Sequence, residues 1–256
     1  MPIPPVLFIH GAANGAWVWD AWRRQLSALG HQPIVIDLRG HGRSLPVDFS
    51  EITMDDYVHD VESVTTQVEA RLGSHPVIAG WSMGGLIAML YASRHPETPG
   101  LLLFAPSPPF EVAGRAEPEK VRATPTTAFG PELYGLYPDN YQRSRRALKD
   151  LSEEEARRVL ESSRGALESG FARRQRQRGI SIDAATISAP KLLVYGELDT
   201  AVSPDHSRAT AAYLDAEVLT VPQAGHWAPI MGETTVADLA PQVDAWLRRC
   251  FSVTGS

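Results

Sequence analysis

Apolar residues fall in short runs separated by stretches of helical spacing. The runs at 5–10 (PVLFIH), 33–38 (PIVIDL), 75–80 (HPVIAG), 100–105 (GLLLFA), 189–196 (APKLLVYG) and 216–221 (AEVLTV) each predict a strand, the first two of them buried. Between the first two, Trp19, Trp22, Leu26 and Leu29 recur at helical spacing and predict an amphipathic helix over 18–29. Tyr57, Val61, Val64, Val68 and Leu72 follow a 3.6-residue period, with Thr53 and Asp56 spaced as an N-terminal cap and Gly73 as a stop. Further helices are expected over 82–94, around 204–214 and around 240–250. In the last, Pro241 fits the first turn, and Val243, Trp246 and Leu247 supply the inner face.

Residues 106–189 break the alternation. Prolines stand at 106, 108, 109, 118, 125, 131 and 138, and 151–179 then reads as helical, with Ser152 and Glu155 spaced as a capping box. Repeated strand–helix units imply an α/β fold with a mostly parallel sheet of about six strands and helices on both faces. The expected division is a core of 1–105 and 190–256 carrying 106–189 as an inserted helical cap. Ligands of such sheets gather beyond the carboxyl ends of the strands.

Composition narrows the class. The chain has 256 residues, 43% of them apolar, and a net charge of −6, without the basic excess expected of a nucleic-acid binder. A single cysteine, Cys250, excludes an internal disulfide and is expected simply to pack. No signal peptide is read at the N-terminus and no apolar run approaches a bilayer span, so the expected location is the cytoplasm, with no membrane partner. No histidine pair has metal-ligand spacing, and neither a metal nor a cofactor is expected.

Chemistry concentrates just after the strands. Ser82 lies in Gly80-Trp81-Ser82-Met83-Gly84-Gly85, a G-x-S-x-G turn between a strand and a helix. Such a turn is tight enough that side chains two residues either side of the serine would collide, and glycines at 80 and 84 remove the collision. A serine hydroxyl needs a base, and His226 follows the last strand in VPQAGHWAPI. An acid must orient that base. Asp199 follows the preceding strand in YGELDTAVSP, with Glu197 as the competing candidate. The small residues of FIHGAANGAW (8–17) let backbone N–H groups face the site. Ala12 with Met83 is the expected pair of oxyanion donors, and Ala13 is the alternative to Ala12.

With these residues in order, the sequence resembles a serine α/β-hydrolase. The HG at 10–11, DLRGHGRS at 37–44, GWSMGG at 80–85, YGELD at 195–199 and AGHW at 224–227 all fall in the family's order. The resemblance covers 3–105 and 189–250. It implies a Ser82–His226–Asp199 triad acting by acyl transfer without a cofactor, and it places the insertion where the family has its cap. Two antiparallel strands that often open the fold are absent from the expectation, because the first strand begins near residue 3.

The expected activity is hydrolysis of a small-molecule carboxylic ester, with Trp17, Trp81 and Trp227 as pocket linings. Other activities share the triad: a C–C bond hydrolase of ring-cleavage products, a thioesterase, a lactonase, or a cofactor-free perhydrolase. GHWA favours the C–C reading. Trp81 before the serine and GAANGA in the oxyanion loop oppose it. HGAANGAWVW is similar to plant hydroxynitrile lyases and their methyl-esterase relatives, but Gly11 and Trp227 stand where the lyases carry Thr and Lys. A non-enzymatic alternative is a ligand receptor on the same fold. His41 is expected to be a packed loop histidine and His10 a brace for the oxyanion loop. The insertion holds 14 of the 24 Lys and Arg residues, densest in FARRQRQRG (171–179). That run reads either as basic residues at a helix C-terminus or as a rim attracting anionic substrates.

Overall fold

The structure, a computed structural model, describes residues 3–251. In chain order the strands are β1 (Val6–Ile9), β2 (Pro33–Ile36), β3 (Val77–Trp81), β4 (Leu101–Phe104), β5 (Ala128–Phe129), β6 (Glu168–Ser169), β7 (Lys191–Gly196) and β8 (Glu217–Val221). Six of them form one parallel sheet in the order β2-β1-β3-β4-β7-β8, as the α/β pattern predicts. The helices are α1 (Asp20–Ala28), α2 (Met54–Leu72), α3 (Met83–Arg94), α4 (Phe110–Ala113), α5 (Pro118–Ala123), α6 (Tyr141–Ser144), α7 (Glu153–Ser162), α8 (Gly170–Arg178), α9 (Pro204–Leu214), α10 (Ala228–Met231) and α11 (Glu233–Phe251).

Alternation along the strands divides the core. Val6 and Phe8 of β1 face a cluster with Trp19, Trp22, Val243 and Trp246, where α1 packs on α11. Leu7 and Ile9 face the opposite cluster, with Tyr57, Val61, Leu86 and Ile87 from α2 and α3. Successive strand side chains point to opposite faces, so a sheet covered on both sides needs continuous apolar runs. Thr53 caps α2 as the sequence implies: its side chain accepts the Asp56 N–H, Asp56 accepts the Thr53 N–H, and Gly73 ends the helix at φ 67°.

Three expectations about local elements are corrected. Residues 151–179 do not form one helix. The Ser152–Glu155 capping box opens α7, but the chain leaves the helix after Ser162, turns through Gly165 at φ 74°, and re-enters at Gly170. Glu168–Ser169 pairs antiparallel with Ala128–Phe129, so the insertion is a set of short helices with a two-stranded ribbon rather than purely helical. The last helix begins at Glu233, which puts Pro241 in its interior instead of its first turn. An interior proline costs about 3 kcal/mol. Burial of Val236, Leu239 and Ala240 before it, and of Val243, Trp246 and Leu247 after it, offsets that loss.

Candidate active site

β1, β3, β7 and β8 each end in a loop that carries one part of the site. After β3 the chain reverses into α3 at Ser82, whose backbone takes φ 55° and ψ −117°. A non-glycine residue held there costs on the order of 1–3 kcal/mol and persists only under external restraint. The restraint comes from its neighbours. Ser82 N–H donates to Phe104 O at 3.1 Å, and Ser82 O accepts from Ser107 N–H at 2.8 Å and Gly85 N–H at 3.1 Å. The turn is as tight as its sequence demands. A Cβ on Gly80 would stand 2.2 Å from Gly84 O, and one on Gly84 would stand 2.3 Å from Ile9 O.

His226, beyond β8, turns Nδ1 toward Asp199 Oδ2 at 2.7 Å. Asp199 Oδ1 accepts the N–H groups of Ala201 (2.7 Å) and Val202 (3.0 Å). The carboxylate is buried and all its partners donate, so Nδ1 carries the imidazole proton and Nε2 is left with its lone pair. Glu197, the competing acid, is exposed on the same loop. Trp81 packs its ring 5.0 Å from the His226 ring and edge-on to Trp227 at 4.7 Å, which holds the imidazole from one side.

Ser82 and His226 border one cavity of about 410 Å³, together with Ala12, Trp81 and Trp227. Met83 is fully buried at the first position of α3, where backbone N–H groups lack helical partners. Trp17 stands apart from this group. It borders a neighbouring cleft with Asn14 and His41 and does not reach the Ser82 cavity.

The loop after β1, which the sequence predicts to carry an oxyanion donor, is built from β1 onward. Leu38 N–H donates to His10 Nε2 at 3.1 Å, so His10 Nδ1 holds the ring proton and donates it to Gly11 O at 2.8 Å. Burial holds the His10 pKa down to about 4, with His41 adding to the effect, so the ring is neutral at pH 7. Ala13 sits at φ 55°, and its N–H donates to Glu168 Oε2 at 3.0 Å. That bond separates the two alanines: the Ala13 N–H is already committed, and Ala12 borders the cavity. His41 is buried against Phe49 and Tyr57, as expected of a packed loop histidine.

The insertion supplies residues that the sequence did not single out. Glu168 of β6 is one, and Asp150, whose Oδ2 accepts backbone N–H groups around His226, is another. Of the basic run on α8, Arg173 and Arg176 border the Ser82 cavity. Arg174 turns away to donate to Thr124 O. Arg173 lies 4.8 Å over the Tyr134 ring, Arg176 reaches the Tyr134 hydroxyl at 3.3 Å, and both Nε atoms are buried with no hydrogen-bond partner among the described residues. No described helix is long and apolar enough to cross a membrane.

A parallel sheet with its polar residues gathered at the strand ends, around one strained serine, defines a hydrolase-type α/β fold. The chain belongs to the alpha/beta hydrolase family, whose model matches residues 6–239. Among its relatives, the pimeloyl-(acyl-carrier protein) methyl ester esterase of Xanthomonas oryzae pv. oryzae is 30% identical over 257 residues, covering 96% of this chain and 94% of that one. The enzyme of the same name from Stenotrophomonas maltophilia is 28% identical, covering 90% and 88%. Among solved structures, a thermophilic esterase from Thermogutta terrifontis superposes with a TM-score of 0.74 at 21% identity, over 97% of this chain and 91% of that one.

Proposed function

We propose that the protein is a serine hydrolase of carboxylic esters, with Ser82 as nucleophile, His226 as base and Asp199 as the orienting acid. The observation that carries the reading is the pairing of a backbone-strained Ser82 with a His226 whose Nδ1–H is spent on a buried Asp199, with Ser82 and His226 bordering one cavity. The names of the relatives support ester chemistry.

In this reading His226 Nε2 takes the Ser82 proton as Oγ attacks the ester carbonyl. The N–H groups of Ala12 and Met83 receive the oxyanion. His226 then protonates the departing alcohol, and a water activated by the same ring releases the acid. Each oxyanion donor contributes about 3–4 kcal/mol to such a transition state. Asp199 keeps the tautomer that leaves Nε2 free and stabilises the imidazolium. The cycle needs no cofactor, the substrate is a small-molecule ester, and the expected compartment is the cytoplasm. Residues 106–189 act as the cap, Trp81 and Trp227 shape the pocket, and Trp17 serves the adjoining cleft.

The test is pre-steady-state release of p-nitrophenol from p-nitrophenyl acetate. A burst of one equivalent per chain is expected, and Ser82→Ala abolishes it. A burst that survives the substitution overturns the assignment.

A further inference from the structure

We propose that Glu168, carried by the insertion, is a positioning residue that aims the oxyanion donor Ala12 N–H by anchoring the peptide plane on its far side.

Ala12 lies between two planar peptides. No cis bond occurs among the described residues, so in each plane the C=O and the following N–H point in opposite directions. The Gly11–Ala12 plane contains the Ala12 N–H, and its C=O is held by His10. That plane still swings about the Ala12 backbone unless the next one is held. The Ala12–Ala13 plane is held at both ends: its C=O accepts from Asn14 Nδ2 at 2.8 Å, and its N–H donates to Glu168 Oε2 at 3.0 Å. Ala13, at φ 55°, needs such a restraint, because its Cβ disfavours that conformation.

Glu168 itself is rigid. It is fully buried, and its Oε1 accepts the Tyr57 hydroxyl at 2.6 Å and its neighbour's Ser169 N–H at 2.8 Å. His41 Nε2 stands 3.4 Å from Oε2. Burial opposes ionisation of this carboxyl, but His41, Arg176 and the Tyr57 hydroxyl prevail and bring its pKa down to about 2. The paired charge matters, since an unbalanced carboxylate beside the loop would oppose negative charge developing on the substrate. The insertion therefore does more than cover the cavity: one of its side chains ends on the loop that receives the oxyanion.

The inference rests on the reading of Ser82 as nucleophile, and the test separates the two. Wild type, Ser82→Ala, Glu168→Ala and Glu168→Gln are compared with p-nitrophenyl acetate as substrate. An alkylboronic acid serves as a probe that becomes tetrahedral on the serine, and thermal unfolding reports folding. Misplacing a single oxyanion donor typically costs on the order of 100-fold in kcat. Glu168→Ala is expected to lose about that much, with KM within about threefold and boronate affinity falling in step with kcat. Glu168→Gln keeps an oxygen able to accept from Ala13 and is expected to lose only about tenfold. If the alanine variant does not fold, the glutamine variant decides alone by the same criteria. Folded variants with kcat within threefold of wild type overturn the proposal, as does a loss of kcat with unchanged boronate affinity. An active Ser82→Ala overturns the triad reading instead.

Discussion

Asp150 accepts the backbone N–H of Trp227 at 3.0 Å, and the same carboxylate oxygen takes the N–H groups of Gly225 at 3.0 Å and Ala228 at 2.7 Å. A side chain from the insertion thus brackets His226 on both sides. A Cβ at 225 would meet the Asp150 carboxyl at 2.9 Å, so a side chain there would have to displace it. Asp150→Ala leaves three backbone donors without their acceptor. It is expected to destabilise the fold by about 2–3 kcal/mol and to lower kcat by loosening the His226 loop. Asp150→Asn keeps a carbonyl oxygen in place and is expected to recover most of both losses. Thermal unfolding and p-nitrophenyl acetate turnover measure the two effects. An alanine variant matching wild type in both would show that the clamp is idle.

Asp150 and Glu168 also mark where sequence reading stops. The six sheet strands and the Ser82 turn are legible because their signals are local: continuous apolar runs, and a G-x-S-x-G turn in which a Cβ on Gly80 would strike the backbone of Gly84 four residues on. The acids that hold the Ala13 and His226 loops have no such signature. Glu168 lies in ALESG, inside the polar stretch 151–179 that reads as helical, where a lone glutamate reads as solvated surface. Its burial arises only when the chain folds back across 155 residues to meet Ala13. The ribbon that breaks the helix at 151–179 is likewise made by pairing with Ala128 and Phe129. Motif position alone favours Ala12 over the equally small Ala13, and the physical distinction between them comes from Glu168, which claims the Ala13 N–H. Trp17 reads as pocket lining because it follows the oxyanion loop, yet it borders the next cleft.

Arg173 and Arg176 place positive charge beside the Ser82 cavity. Both border the Ser82 cavity with buried Nε atoms that lack partners among the described residues. Half-buried guanidinium groups beside a cavity favour an anion able to use their outer N–H donors. In matched methyl esters of a dicarboxylic acid, Arg173→Gln is expected to raise KM about tenfold for the monoester that retains a free carboxylate, the equivalent of one charge-assisted hydrogen bond. The neutral diester is expected to be unaffected. Equal effects on both esters would assign Arg173 to packing against Tyr134 alone.

His10 makes stability depend on pH. Its folded pKa is about 4 against an ordinary 6.5, because burial disfavours the imidazolium and His41 repels it. Between those values the unfolded chain binds a proton that the folded chain refuses, so stability falls as pH falls from 6.5 toward 4. The full contribution is present above 6.5, and about 3 kcal/mol of it is gone below 4. Glu168, held at about 2 against 4.5, extends the loss below pH 4.5. His41, raised above 6.5 by Glu168 despite its burial, works in the other direction and stabilises most below 6.5. Urea unfolding across pH 4–7 is expected to give a shallower slope for His10→Gln than for wild type. An identical slope would move the pH dependence to other groups.

Gly84 leaves no room for a side chain. An added Cβ would stand 2.3 Å from Ile9 O and 2.5 Å from His10 O, both backbone atoms at the end of β1 that cannot swing aside as a side chain would. Accommodating it requires α3 to move away from β1, which carries the Ser82 backbone away from the loop that holds Ala12. Gly84→Ala is therefore expected to damage catalysis through geometry even where the chain still folds. A shift of about 1 Å at the nucleophile costs on the order of 100-fold. Gly73→Ala provides the contrast. Nothing lies within 4 Å of its added Cβ, so it pays only for φ 67° at a helix end far from the cavity. It is expected to cost about 1 kcal/mol in stability and nothing in kcat. Burst amplitude and unfolding free energy, measured on both variants, separate the two cases. A Gly84→Ala enzyme with wild-type kcat would show that the nucleophile turn has slack that these contacts deny.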